Sequence, residues 1–290
     1  MRVGVALRAP ALPAQSPRGE VRKGGGAPRR APPRPAPEVV LSLLTTTQLT
    51  KHFGENRAVD GVDFSVREGQ VVALIGSNGA GKTSLVNLIS GLLRADSGQI
   101  VFRGVDVTSA SVHGRIKAGL ARSFQLVNLF DQLTCLDNIA LSIFAREGKA
   151  RKILSLARGH RTIWREAAEV LHGFGLDGKA GMRAGGISQG ERKLLDVAVA
   201  CALRPRLLFL DEPTSGVSTR EKAPIMDVIS SIVRSQGITA VIIEHDMDIV
   251  FNYSDRIVAM HQGTILADGT PDEIRKNETV TTTLLGTPGA

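Results

Sequence analysis

The sequence predicts an α/β fold built on a parallel sheet, and three stretches carry that prediction. Val71 to Ser84 reads VVALIGSNGAGKTS, an apolar run, a glycine-rich turn, then a helical pattern with Leu85, Leu88, Ile89 and Leu92 at helical spacing. RLLFLDEP (206–213) and ITAVIIEHD (238–246) are almost wholly apolar runs that end in charged residues. Strands that apolar are buried on both faces, as in a parallel sheet covered by helices.

Taken in order, residues 1–42 are dense in Ala, Pro, Gly and Arg and form a disordered basic extension rather than a core. The extension is Arg-rich and acid-poor like an organellar transit peptide, but Ser16 is the only serine among its first 40 residues. It reads as a non-functional extension, with an electrostatic arm as the alternative. From Thr45, TTTQLTKHF and VDGVDFSV (Val62, Phe64 and Val66 in alternation) form a β-ribbon leading to the strand at Val71. Asp96-Ser97-Gly98 turns the chain into a further strand, and Leu120 to Phe124 is another, followed directly by Gln125. Leu136 to Ala145 and Thr162 to Gly173 read as helices. A helix from Gly190 to Leu203 then feeds RLLFLDEP. Ser218 and Glu221 have capping-box spacing, with Pro224 expected to delay regular hydrogen bonding by a few residues. RIVAM and ILADG form a hairpin around His261-Gln262-Gly263-Thr264.

The chain has 290 residues and 42% hydrophobic content, enough for a sizeable core. No apolar run reaches the ~18 residues of a membrane span; the longest candidate, Leu194 to Leu210, is broken by Asp196, Arg204 and Arg206. The expectation is a soluble protein, or one bound to a membrane through a partner. Cys135 and Cys201 lack metal-ligand spacing and read as small buried thiols. The positive charge sits in two segments. Residues 1–40 hold eight Lys/Arg against two Glu, and residues 146–165 hold seven against one, so the rest of the chain is net acidic. The body therefore gives no general argument for nucleic-acid binding. Segment 146–165 reads as a solvated face, with an anionic membrane surface as the alternative.

The chemistry-bearing residues form a set. The run Gly76, Ser77, Asn78, Gly79, Ala80, Gly81, Lys82, Thr83, Ser84 fits the phosphate-binding P-loop. Its glycines let backbone N–H groups curl into a nest, Lys82 reaches the outer phosphates, and the Thr83 hydroxyl ligates Mg²⁺. Phosphoryl transfer further needs a placed metal and an aimed water. Asp211, at the end of its apolar strand, suits Mg²⁺; Glu212 beside it suits a general base. His245 closes a strand expected beside that of Asp211, so it faces the same crevice. Gln125 has an amide suited to a water or Mg²⁺. Ser188 and Gly190 open a second phosphate-suited helix start, far in sequence from the first, which makes sense if it serves another subunit's nucleotide.

Together these motifs resemble the ATP-binding subunits of ABC transporters from about Leu43 to Gly286. The resemblance covers Phe53 in the adenine-stacking position, the P-loop, Gln125 as Q-loop, ISQGE as signature, LLFLDEP as Walker B, SGVS as D-loop and His245 as switch histidine. GLARSFQLVNLFDQLTCLDNI, IEHDMDIV and the ending GTPDEIRKNETVTTTLLG look most like branched-chain amino acid importer ATPases, with urea and amide importers close by. The resemblance implies an ATPase domain over 43–286 and a tail at 287–290. The domain would hold a RecA-like core sheet, an antiparallel β-subdomain and a helical subdomain inserted over about 126–200. It also implies ATP and Mg²⁺ as cofactors, and a homo- or heterodimer in which Ser188 and Gly190 of one copy meet ATP on the P-loop of the other. Gln125 would link Mg²⁺ to the membrane subunits. Glu212 would activate water, and His245 would contact the γ-phosphate. Permease subunits would be direct partners at the cytoplasmic face of the inner membrane, with an extracytoplasmic substrate-binding protein indirect and no nucleic acid expected. Gln189 replaces the middle glycine of the signature and Ser218 the D-loop aspartate. The runner-up reading is a non-transport ABC ATPase acting on nucleic acid or ribosomes. Such proteins usually carry two cassettes or a coiled-coil insertion, and this chain has neither.

Overall fold

The computed structural model describes residues 42–123, 129–149 and 160–285. The extension up to residue 41, Phe124, Gln125, residues 150–159 of the basic segment and the tail from 286 lie outside the described residues.

Strand β1 (Ser42–Phe53) pairs antiparallel with β2 (Asn56–Arg67) across a turn at Gly54-Glu55. After β3 (Val71–Ile75) and helix α1 (Lys82–Ser90), β4 (Ser97–Phe102) joins the other side of β1, and β5 (Val105–Asp106) joins β4. This four-stranded sheet, ordered β2-β1-β4-β5, is the expected antiparallel unit.

The second sheet has order β10-β9-β3-β8-β7-β6, with β6 (Leu120–Arg122), β7 (Leu207–Asp211), β8 (Thr239–Ile243), β9 (Arg256–His261) and β10 (Thr264–Gly269). All its pairings are parallel except the β9–β10 hairpin. Every residue of β3, β7 and β8 is buried, as their almost wholly apolar runs require. Alternate side chains divide between two cores. Leu208, Leu210, Ala240 and Ile242 face α3 (Cys135–Arg146), α4 (Arg161–Gly173), α5 (Gln189–Cys201) and α6 (Thr219–Ser235). Leu207, Phe209, Val241 and Ile243 face α1 and the antiparallel sheet. Both cysteines are buried thiols, and among the described residues no helix is long and apolar enough to cross a membrane.

Two local expectations need correction, and two helices are additions. Leu92 is not on α1: Gly91 adopts φ +84° as the C-cap, the helix stops at Ser90, and Leu92 is 48% exposed. Pro224 does not delay α6, because Glu221 Oε2 accepts from both Ser218 N and Ser218 Oγ and the helix starts at Thr219; the proline only removes one N–H donor from its second turn. Helix α2 (Val112–Ala118) and α7 (Met247–Tyr253) were not anticipated.

Arg146 of the basic segment is not a free surface charge. Its guanidinium donates to both carboxylate oxygens of Glu166 (2.7 and 2.9 Å) and to Ala202 O (2.8 Å), while Arg204 Nη2 lies 2.8 Å from Glu166 Oε1. The network ties the end of α3 to α4 and to the chain just after α5. The hydrogen bond from Arg146 holds the Glu166 carboxyl below its ordinary value of 4.5, against the opposing pull of burial. A depressed folded-state pKa stabilises the fold above the unfolded value and loses that contribution as pH falls through the folded one. Glu166→Gln should lower stability at pH 7 by about 1.5–3 kcal/mol in urea unfolding. The gap from wild type should close from pH 4.5 downward.

Candidate nucleotide site

Because the inner strands run parallel, the chain leaves β3, β6, β7 and β8 at one edge, the edge at which open α/β sheets bind ligands. After β3 the chain turns through Gly76 (φ +153°) and Gly81 (φ +102°) into α1. A β-carbon at Gly76 would lie 2.4 Å from Met260 O, and one at Gly81 would lie 2.2 Å from Ala58 O, so the backbone curl needs glycine at both. Gly81 supplies no capping side chain and the first turn of α1 holds no acid, which leaves its positive end to an anion. Lys82 is 6% exposed and donates to Gly76 O (2.6 Å) and Ser77 O (3.1 Å). Burial pushes its pKa down from the ordinary lysine value, while Glu212 and Asp211 pull it up.

The carboxylates stand at the end of β7. Asp211 is buried, and its Oδ2 accepts from Arg122 Nη2 at 2.5 Å; Arg122 Nη1 also donates to Asn87 Oδ1 on α1. Glu212 adopts φ +49°, unusual for a residue with a β-carbon, and its N–H donates to Ile243 O at the end of β8. Its Oε1 lies 3.1 Å from His245 Nε2, so the histidine expected to face the same crevice is in contact with the carboxylate.

A cleft of about 350 Å³ gathers Phe53, Asn78, Gly79, Ala80, Gly81, Lys82, Thr83, Ser84, Glu212 and His245, with Gly76 and Ser77 in an adjoining recess against Glu244 and His245. Phe53 is half exposed at its mouth, with Lys51 Nζ 5.5 Å from the ring centroid. A larger groove of about 460 Å³ runs along α4 to the amino ends of β7 and β8, but it holds none of these groups. Ser188 caps α5, where it shares a capping box with Glu191; neither it nor Gly190 lines the cleft.

Thr83 offers a hydroxyl and Asp211 a carboxylate, the hard oxygen donors that Mg²⁺ takes beside phosphate. Among the described residues no group of three His, Cys, Asp or Glu is placed to hold a metal, and a Mg²⁺ bound here would take phosphate and water oxygens beside Thr83 and Asp211. The residues fit Mg²⁺ in that nucleotide-dependent way.

A family model for the ABC transporter matches residues 59–215, more than half of the chain. The chain belongs to the ABC transporter family. It is an ATPase of that family, with the expected α/β fold. It is 34% identical over 249 residues to the high-affinity branched-chain amino acid transport ATP-binding protein BraF of Pseudomonas aeruginosa, covering 84% of this chain and 98% of that protein. A probable branched-chain amino acid transport ATP-binding protein LivG of Methanocaldococcus jannaschii is 32% identical over 240 residues (82% and 93%). The crystal structure of an ATP-binding cassette of an ABC transporter in its ADP conformation matches with TM-score 0.76 at 30% identity, covering 85% of this chain and 100% of that one.

In this ABC ATPase, several residues around the cleft escaped the sequence reading. Arg122 could have been noticed as a lone charge closing a strand of the core sheet. Glu244, buried, accepts from Thr214 N and Oγ1 and from His245 N, and so joins the loop after Glu212 to the end of β8. Its signal was its place between an apolar run and His245. Lys193 had no signal, since a lysine on an amphipathic helix reads as surface.

Proposed function

We propose that this chain powers an importer of branched-chain amino acids, or of related amino acids, urea or amides. The observation that carries the reading is the gathering of Lys82, Thr83, Glu212 and His245 in one cleft, with Asp211 next to Glu212 at the end of β7, in a chain similar over most of its length to BraF and LivG. The loop from Gly76 to Ser84 binds the phosphates of ATP, and Phe53 stacks on the adenine. Thr83, Asp211 and Gln125 hold Mg²⁺, which when bound neutralises phosphate charge. Glu212 takes a proton from the attacking water, and His245 keeps its carboxylate aimed and contacts the γ-phosphate. Ser188 and Gly190 of a second copy form the far wall of each site. Closure on ATP and reopening after hydrolysis drive permease subunits that an extracytoplasmic binding protein loads, at the cytoplasmic face of the inner membrane.

Cells lacking the chain should lose uptake of radiolabelled leucine, recover it with the wild-type chain and not with Glu212→Gln. The chain should co-purify with hydrophobic subunits. Unchanged uptake of leucine, urea and amides, with RNA or DNA co-purifying instead, would favour a role on nucleic acid or ribosomes.

A further inference from the structure

We infer that Lys193 is a positioning residue for ATP hydrolysis, holding the backbone of Glu212 in the conformation that aims its carboxylate. Lys193 lies on α5, five residues beyond the N-cap Ser188, and is 3% exposed. Its ammonium donates to Glu212 O (3.1 Å) and to Ser215 Oγ (2.9 Å), groups on the loop beyond β7. An ammonium is an unfavourable group to bury, and an apolar side chain of similar volume would fill the place without desolvation. Burial accordingly presses its pKa down, while Asp196, Glu212, Glu244 and Asp211 oppose that. The charge sits where acceptors converge on one short turn.

That turn needs holding. Glu212 sits at φ +49°, a region that L side chains with a β-carbon disfavour. The Glu212 N–H is tied to Ile243 O, and its carbonyl accepts from Ser215 N as well as from Lys193. Thr214 is fastened to Glu244. With α5 on one side and β8 on the other, the backbone of residues 212–215 has little freedom, and the Glu212 carboxylate meets His245 Nε2. Removing the ammonium releases the α5 side, so Glu212 can relax toward an ordinary φ and swing its carboxylate away.

The inference rests on the reading of Glu212 as general base, and the test separates the two. Lys193→Met, Glu212→Gln and the double variant are assayed for ATP affinity, steady-state kcat and KM, and single-turnover hydrolysis. A misplaced base predicts that Lys193→Met lowers kcat by about 10- to 100-fold. ATP affinity and KM should stay within about threefold of wild type, because the phosphate loop is untouched. In the Glu212→Gln background the same change should add nothing, since both act on one step. Should Lys193→Met not fold, Lys193→Gln, which keeps a donor but draws it back from Glu212 O, carries the same expectations. A kcat within threefold of wild type, a matching loss of ATP affinity, or a loss that multiplies onto that of Glu212→Gln overturns the inference. Wild-type turnover in Glu212→Gln alone overturns the general-base reading instead.

Discussion

Glu212→Gln is expected to bind ATP as wild type does and to hydrolyse it about 10²- to 10⁴-fold more slowly, the usual range for removing a general base. The amide matches the carboxylate in shape, so the turn at Glu212 and its tie to Ile243 O survive. What disappears is the acceptor for the water's proton, and the negative charge beside His245 Nε2 and Lys82. Losing that charge also removes a repulsive neighbour of the γ-phosphate, so ATP binding is not weakened. With hydrolysis stalled, the closed pair should accumulate. Size-exclusion chromatography with ATP and Mg²⁺ should show Glu212→Gln as a dimer under conditions that leave the wild type monomeric. Rapid turnover, or an ATP-independent elution volume, would remove Glu212 from its assigned role.

Much of this arrangement was legible because covered strands and close backbone approaches leave clear marks. Strands β3, β7 and β8 are central in a covered parallel sheet, so polar residues are confined to strand ends: Thr239 opens β8, Asp211 closes β7, and Gly76 and Glu244-His245 follow β3 and β8. The P-loop was legible for a steric reason, since side chains at Gly76 and Gly81 would strike backbone carbonyls. What stayed hidden are charges facing inward. Arg115 on α2 is 2% exposed, yet its guanidinium donates to Leu88 O and Ile89 O in the last turn of α1 and to Thr108 O and Ala110 O on the loop before α2. Arg122 and Lys193 belong to the same class. Most of their partners are distant in sequence, chiefly backbone carbonyls or a single carboxylate, and a pattern that scores charge as surface cannot find them. Ser188 and Gly190 show the opposite case. Their helix start was evident in the sequence, but within one chain they do not line the cleft, and only the proposed second copy gives them a nucleotide to meet.

Lys82→Ala carries the other large effect, and it falls on binding. The Lys82 ammonium is nearly buried and turned onto the carbonyls of Gly76 and Ser77, within the loop whose amides are proposed to meet phosphate. Its desolvation is already borne by the folded chain, so a phosphate oxygen that approaches gains a charge-assisted hydrogen bond at little further loss of hydration. Such a bond is worth about 1.5–3 kcal/mol, or roughly 10- to 100-fold in Kd. Thermal unfolding with and without nucleotide separates this loss from simple damage to the fold. At an ATP concentration of about 100 times the wild-type Kd, binding stabilises the wild type by about 2.7 kcal/mol. A Kd weakened about 10- to 100-fold leaves roughly 1.4 to 0.4 kcal/mol at the same concentration. The unfolding temperature of Lys82→Ala should therefore respond to ATP about half as much as wild type or less, although the ligand-free protein unfolds close to wild type. An undiminished response would mean that the phosphates are held somewhere other than the loop from Gly76 to Ser84.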